Sequence, residues 1–168
     1  MIKDLLILTI FPGAMICAAA SDLFTMTLPN RLTLALAVCF FVVATLVGMG
    51  WYAVVFHVVL ALAALAATIT LFSLGWIGGG DAKMFAATCL WIGPATVFTY
   101  SFYVSLIGCG LTLLLLLWRG RPLSGMLSAQ DWLVRLHSPS EGVPYGVALA
   151  AAGLLVYPAT PFVAALGS

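Results

Sequence analysis

Long apolar runs constrain this chain more than any other feature. No charged residue occurs between Met84 and Trp118, hydrophobic residues make up 64% of the sequence, and charged residues make up only 7%. Soluble domains are about half apolar and about a quarter charged. The composition therefore predicts an all-α, polytopic membrane protein whose bilayer-embedded helices form its core. A formal net charge of +1 gives no reason to expect a nucleic acid partner.

The lengths of the apolar runs predict about six transmembrane helices, since one crossing needs about 20 mostly apolar residues. The run from Met84 to Trp118 is too long for one crossing, and Gly93 with Pro94 is the natural break. Asn30 suits the N-cap of the second helix. We expect the first run to be a retained span and not a cleaved signal peptide, because further spans follow. The predicted spans are 5–20, 32–50, 51–77, a short fourth helix before Gly93, 95–118 and 143–166.

Positive charge predicts the orientation of these helices. Lys and Arg are concentrated in the connections between spans one and two, three and four, and five and six, and cytoplasmic loops carry such an excess. These connections are therefore expected to face the cytosol, with both termini on the other side; if the short fourth helix does not cross, the C-terminal orientation is inverted. The basic residues in them are Arg31, Lys83, Arg119, Arg121 and Arg135.

The stretch at about 119–142 is the only sizeable polar segment. We predict a cytosolic or interfacial loop here, within a single membrane-embedded domain that covers residues 1–168. Its apolar residues recur at roughly helical spacing, which predicts an amphipathic helix on the membrane surface. They are Leu123, Met126, Leu127, Leu133 and Leu136.

Two of the five acids are expected to meet at one face of the membrane. Between Asp22 and Asp81 the chain leaves through span two and returns through span three, so both acids end on the cytosolic side, each at a helix boundary. An acid at the membrane edge is costly unless it is paired, hydrated or protonated, and it marks a candidate functional site. The three glycines at 78–80 are expected to adopt backbone conformations closed to other residues and to permit a close approach by another segment.

Two carboxylates in one site share a proton, so that one acts as a base on water while the other donates to a substrate carbonyl. Such a pair titrates as a unit, and neither acid is assigned a fixed role. The residues alone leave other interpretations open. Asp22 with Arg31 and Asp81 with Lys83 are candidate interfacial ion pairs. Paired acids also serve small ion-coupled or proton-coupled transporters, and a non-catalytic component of a secretion system is a further alternative.

Three short motifs resemble the GxGD intramembrane aspartic proteases, in the form found in type IV prepilin peptidases. Residues 78–83, GGGDAK, are similar to the G-x-G-D-x-K motif of that family. Asp22, followed by LPNR at 28–31, resembles the first catalytic aspartate with its downstream hydrophobic-Pro-Asn element. Residues 144–146, PYG, match a P-[FY]-G element in the last span. The three elements occur in the family's order and extend over essentially the whole chain.

The resemblance implies that Asp22 and Asp81 are the catalytic acids of a membrane aspartic endopeptidase that needs no metal or organic cofactor. It also implies that Gly78 and Gly80 shape the backbone beside Asp81. Lys83 either pairs with Asp81 or remains a topology charge at the interface. The candidates for supporting roles are Lys83, Pro29, Asn30, Pro144, Tyr145 and Gly146.

Members of this family remove a short basic leader from type IV pilin-like precursors at the cytoplasmic membrane. The resemblance thus implies prepilin or pseudopilin precursors, the lipid bilayer, and pilus or type II-like secretion machinery as partners. It places the protein in the bacterial inner membrane with its active site facing the cytosol. The length and the absence of an N-terminal cysteine-bearing domain resemble the short peptidases of tight-adherence (Flp) pilus systems, so N-methyltransferase activity is doubtful.

Overall fold

The chain folds into a bundle of helices, and the computed structural model describes residues 1–123, 125 and 127–167. No strand occurs among these residues, which confirms the prediction of an all-α membrane bundle. Two short 3-10 turns cover Leu127–Ala129 and Tyr157–Ala159. The helices are α1 (Ile2–Thr25), α2 (Asn30–Leu46), α3 (Trp51–Ser73), α4 (Gly79–Ile92), α5 (Val97–Arg119), α6 (Asp131–His137), α7 (Tyr145–Val156) and α8 (Pro161–Ala164).

Among the described residues, four helical segments are long and apolar enough to cross a membrane. They are Ile2–Thr25, Trp51–Ser73, Val97–Arg119 and Tyr145–Ala164. The other two predicted spans are shorter, since α2 has 17 residues and α4 has 14. At 1.5 Å per residue α4 measures about 21 Å, against a hydrocarbon thickness of about 30 Å. The predicted count of about six therefore corresponds to four full-length spans and two short helices.

The helix boundaries near the first connection differ from the prediction. Helix α1 continues to Thr25, beyond the predicted span 5–20, so Asp22 lies within its final turns. Asn30 is the first residue of α2, and the N-cap position belongs to Pro29, whose φ of −65° suits a helix entrance. The Asn30 side chain is not free to cap because its Oδ1 accepts a hydrogen bond from Lys83 Nζ at 2.9 Å.

Helix α4 lies at the centre of the bundle, packed against α2, α3 and α7. Its residues from Ala86 to Ile92 are all buried. Trp91 is fully buried, and its indole Nε1–H donates to the Leu36 carbonyl of α2 at 2.9 Å. Protein neighbours, and not lipid, therefore surround this short helix, which explains how a segment too short to span is accommodated.

The polar stretch after α5 does not form one long amphipathic helix. It contains the 3-10 turn Leu127–Ala129 and the seven-residue helix α6, on which Leu136 is buried. Met126, which contributed to the predicted pattern, lies outside the described residues. The apolar side chain of Leu136 thus docks α6 on the bundle, while most of the connection remains exposed.

Gly93 ends α4, as the sequence predicted, and it offers a test of packing. Its φ is +77°, and a Cβ added here would overlap the imidazole of His57, which donates from Nδ1 to the Leu90 carbonyl at 2.7 Å. We expect Gly93→Ala to lower the free energy of unfolding by about 3 kcal/mol, from backbone strain plus overpacking. Gly48→Ala is the matched control, because its φ is +67° but nothing lies within 4 Å.

Equilibrium unfolding in mixed micelles measures the free energy of unfolding of both variants. The control is expected to lose only about 1 kcal/mol, since it carries the strain of a left-handed backbone alone. Equal losses in the two variants would show that contact with His57 contributes nothing.

Candidate active site

Asp22 and Asp81 line the same cavity, which has a volume of about 700 Å³. They also line a second, smaller cavity of about 290 Å³ beside the connection between α1 and α2. The topology therefore brings two acids from distant segments into one site. The wall of the larger cavity also includes Gly78, Thr112, Glu141, Gly142, Val143 and Tyr145.

Asp22 is held by the N-terminus of α7. Its side chain is only 6% exposed, and Oδ2 accepts a hydrogen bond from the Gly146 backbone N–H at 2.6 Å. The carboxylate also accepts a hydrogen bond from the Val147 backbone. The first backbone N–H groups of a helix have no partners within it, and the helix dipole favours negative charge there. Asp22 of α1 thus caps α7 across the bundle.

Asp81 caps its own helix. Gly78 occupies the N-cap position of α4, which makes Asp81 the third helical residue. The carboxylate accepts a hydrogen bond from the backbone N–H of Gly78, as the third residue does in a capping box. The positive ends of α4 and α7 therefore each bind one of the two carboxylates, and both face the cavity.

The glycines before Asp81 serve close approach and not unusual backbone conformation. Gly78 has an ordinary φ of −72°, and none of residues 78–80 has a positive φ. The prediction of conformations closed to other residues is therefore wrong here. A Cβ on Gly78 would lie 2.8 Å from Asp81 Oδ2, and a Cβ on Gly80 would lie 3.1 Å from the Leu28 Cβ. The absence of side chains lets the Asp81 carboxylate fold back and lets the α1–α2 connection pack against α4.

The two acids repel each other when both are ionised. Asp81 lies in the first turn of α4, outside the four full-length spans, and its pKa is raised to about 6 by burial and by the nearby Asp22 carboxylate. Among the described residues, no salt bridge joins Asp22 to Arg31 or Asp81 to Lys83. The geometry thus differs from the ion pairs that the sequence left open.

The supporting candidates divide into two groups. Lys83 and Asn30, bonded to each other, line a separate apolar groove of about 400 Å³ between α2, α3 and α4. Pro144 occupies the N-cap position of α7, and Tyr145 is the first residue of that helix. The phenol ring of Tyr145 packs against Gly108 and lies on the wall of the larger cavity, which we call the dyad cavity after its pair of acids, Asp22 and Asp81. Of these four residues, only Tyr145 lines the cavity that Asp22 and Asp81 share.

Gly146 is in close contact with the carboxylate of Asp22. A Cβ at this position would lie 2.8 Å from Asp22 Oδ2 and 3.0 Å from both Cβ and Cγ of Asp22. No other residue type leaves space for the observed carboxylate. Gly146 therefore contributes both a hydrogen-bond donor and the room in which Asp22 sits.

The sequence did not indicate that the segment before α7 forms part of this site. Glu141 belongs to the stretch predicted as a cytosolic or interfacial loop; it is exposed and also lines the cavity with Gly142 and Val143. Their position directly before the PYG element was the available signal. Arg119, which the sequence indicated only as a topology charge, donates hydrogen bonds to this segment.

Comparison with known protein families gives one match. Residues 9–115, more than half of the chain, match the family model described as the type IV leader peptidase family. The matched stretch contains Asp22, Asp81 and the glycines before Asp81, and it ends before residues 144–146. Searches of curated proteins and of solved structures gave no match.

Proposed function

The chain belongs to the type IV leader peptidase family, and from this premise we propose that it is a membrane aspartic endopeptidase in which Asp22 and Asp81 activate water. The proposed substrate is a type IV pilin-like precursor, and the bond cleaved is the one that joins its leader to the mature chain. The resemblance to the tight-adherence peptidases makes Flp-type precursors the first candidates.

One observation carries this proposal. Two carboxylates, each bound to a helix N-terminus, line one cavity of about 700 Å³. Among the described residues that line it, none is Lys or Arg. No basic side chain on this wall neutralises the pair, so the state in which the two adjacent acids share one proton has the lowest free energy. A singly protonated pair is the state that peptide hydrolysis requires.

The chemistry follows from that state. The ionised carboxylate takes a proton from water as the water oxygen attacks the carbonyl carbon of the peptide bond. The protonated carboxyl donates to the carbonyl oxygen, which stabilises the tetrahedral intermediate. Collapse of the intermediate breaks the C–N bond, and the departing nitrogen receives a proton from the acid pair. The pair acts as a unit, and we assign neither Asp22 nor Asp81 a fixed role.

The distribution of Lys and Arg supports an orientation in which the dyad faces the cytosol of a bacterium. In that orientation, the leader of an inner-membrane precursor lies on the same side as the cavity. Pilus or type II-like secretion machinery would then receive the mature product.

The decisive test is co-expression with a candidate Flp-type precursor. We expect a shorter product, whose new N-terminus is found by sequencing, and no cleavage when either acid is replaced by Asn. If the Asn variants cleave the precursor as well as the wild type does, the assignment of Asp22 and Asp81 as the catalytic acids is contradicted. Proton flux through reconstituted vesicles, with no cleavage of any precursor, favours a transporter.

The pH dependence of cleavage gives a further prediction. Because the pKa of Asp81 is raised to about 6, a rise in pH through 6 removes the shared proton. We therefore expect kcat to fall at least severalfold between pH 6 and pH 8, and to fall again in acid once both carboxyls are protonated. Initial rates on one precursor across pH 4 to 8 measure this. A rate that rises steadily to pH 8 would contradict a singly protonated pair.

A further inference from the structure

Arg119, the last residue of α5, makes three hydrogen bonds to the backbone of the segment that precedes α7. Its Nε donates to the Leu136 carbonyl at 2.9 Å. Its Nη1 donates to the Glu141 carbonyl at 3.2 Å, and its Nη2 donates to the Gly142 carbonyl at 2.8 Å. One guanidinium therefore joins the end of α5, the end of α6 and the residues just before α7.

The segment held by Arg119 forms one wall of the dyad cavity. Glu141, Gly142 and Val143 all line it. Within the described chain, the backbone of this segment makes few other bonds, one of them from Glu141 N–H to the Ser138 carbonyl at 3.2 Å. The position of this wall thus depends on the guanidinium more than on regular secondary structure.

We propose that Arg119 is a positioning residue for peptide cleavage, which holds residues 141–143 as the wall against which the substrate binds. This inference rests on the proposed function of the Asp22 and Asp81 pair. Arg119 does not line the cavity, and it acts through the backbone carbonyls that it binds.

The guanidinium suits this role because its planar donors have a fixed geometry and reach several carbonyls at once. Hydrogen bonds from a charged donor are also stronger than those between neutral groups. A Lys at this position keeps the charge, but its compact ammonium lacks the planar set of donors with which Arg119 reaches three carbonyls. Shape, and not charge alone, is therefore the property to be tested.

Arg121 is a matched control, since it lies two residues further along the same basic connection. It contributes the same charge to membrane topology and its side chain is exposed. In the described part of the chain, its guanidinium makes no hydrogen bond to residues 136–142. A comparison of the two arginines separates positioning from the general effect of positive charge.

The experiment uses the full-length protein in nanodiscs with a precursor that the wild type cleaves. We expect Arg119→Gln and Arg119→Lys each to lower kcat/KM about tenfold or more, mainly through a higher KM, because the wall is no longer held in place. Arg121→Gln is expected to stay within about twofold of the wild type. Hydrogen exchange of the backbone amides at 138–143 should accelerate in the two Arg119 variants only.

The inference is overturned if Arg119→Lys matches the wild type in both KM and exchange, since charge alone would then suffice. It is also overturned if Arg119→Gln and Arg121→Gln lose activity equally. Arg119→Lys keeps the test valid if Arg119→Gln inserts poorly, because its charge preserves the topology. Cleavage that survives Asp22→Asn would instead remove the proposed function, whatever the Arg119 variants show.

Discussion

Asp22→Asn and Asp81→Asn are each expected to lower the rate of leader removal by about a thousandfold or more. An amide has almost the shape of a carboxyl, but it cannot take a proton from water or share one with its neighbour. The loss should appear in kcat, because the replaced group acts on the reacting atoms. Quantitative cleavage of one precursor by purified variants measures it.

The same variants separate chemistry from structure. Asn is a good helix cap, so its side-chain oxygen can still accept the hydrogen bond from Gly146 or from Gly78. We therefore expect thermal unfolding of both variants close to that of the wild type. Asp131→Asn is the control, since Asp131 is exposed in the first turn of α6 and away from the cavity. If Asp22→Asn or Asp81→Asn cleaves the precursor at the wild-type rate, the assignment of these two residues as catalytic acids is wrong.

Gly146→Ala is expected to lower kcat about a hundredfold although it replaces no titratable group. The new methyl would lie 2.8 Å from Asp22 Oδ2, which is far inside ordinary contact distance. Either the carboxylate or the start of α7 must move, and the 2.6 Å hydrogen bond from the Gly146 N–H is lost or stretched. A displacement of about 1 Å at a catalytic group costs about this much.

Gly110→Ala is the matched control for this substitution. Gly110 is also helical, and a Cβ there meets nothing within 4 Å. The control should keep the wild-type rate and gain slightly in helix propensity. If Gly146→Ala cleaves the precursor as fast as Gly110→Ala, the close contact with Asp22 has no part in catalysis.

The sequence predicted the bundle and the shared location of Asp22 and Asp81 because both follow from the lengths of the apolar runs. Apolar runs must match the thickness of a bilayer, and two crossings return the chain to its starting face. The break at Gly93 was predictable for a similar reason, as the run from Met84 to Trp118 exceeds one crossing. These properties depend on counting residues and not on how side chains pack.

The sequence could not predict the partners of the polar side chains. The bond between Gly146 and Asp22 joins residues 124 positions apart, and no periodicity encodes such a contact. The sequence left open a pairing of Lys83 with Asp81, but Lys83 bonds instead to Asn30, because α2 packs against α4. Arg119 looked like any other basic residue beside a span. Its three carbonyl partners exist only once α5, α6 and α7 are assembled.

The short, enclosed helix α4 has a consequence for how the protein responds to its membrane. A bilayer that is too thick or too thin tilts full-length helices or deforms the lipid around them. Helix α4 is held by α2, α3 and α7, with Trp91 bonded to Leu36, so little of it meets lipid. The depth of Asp81 is therefore set by neighbouring helices, and its spacing from Asp22 should stay constant in membranes of different thickness.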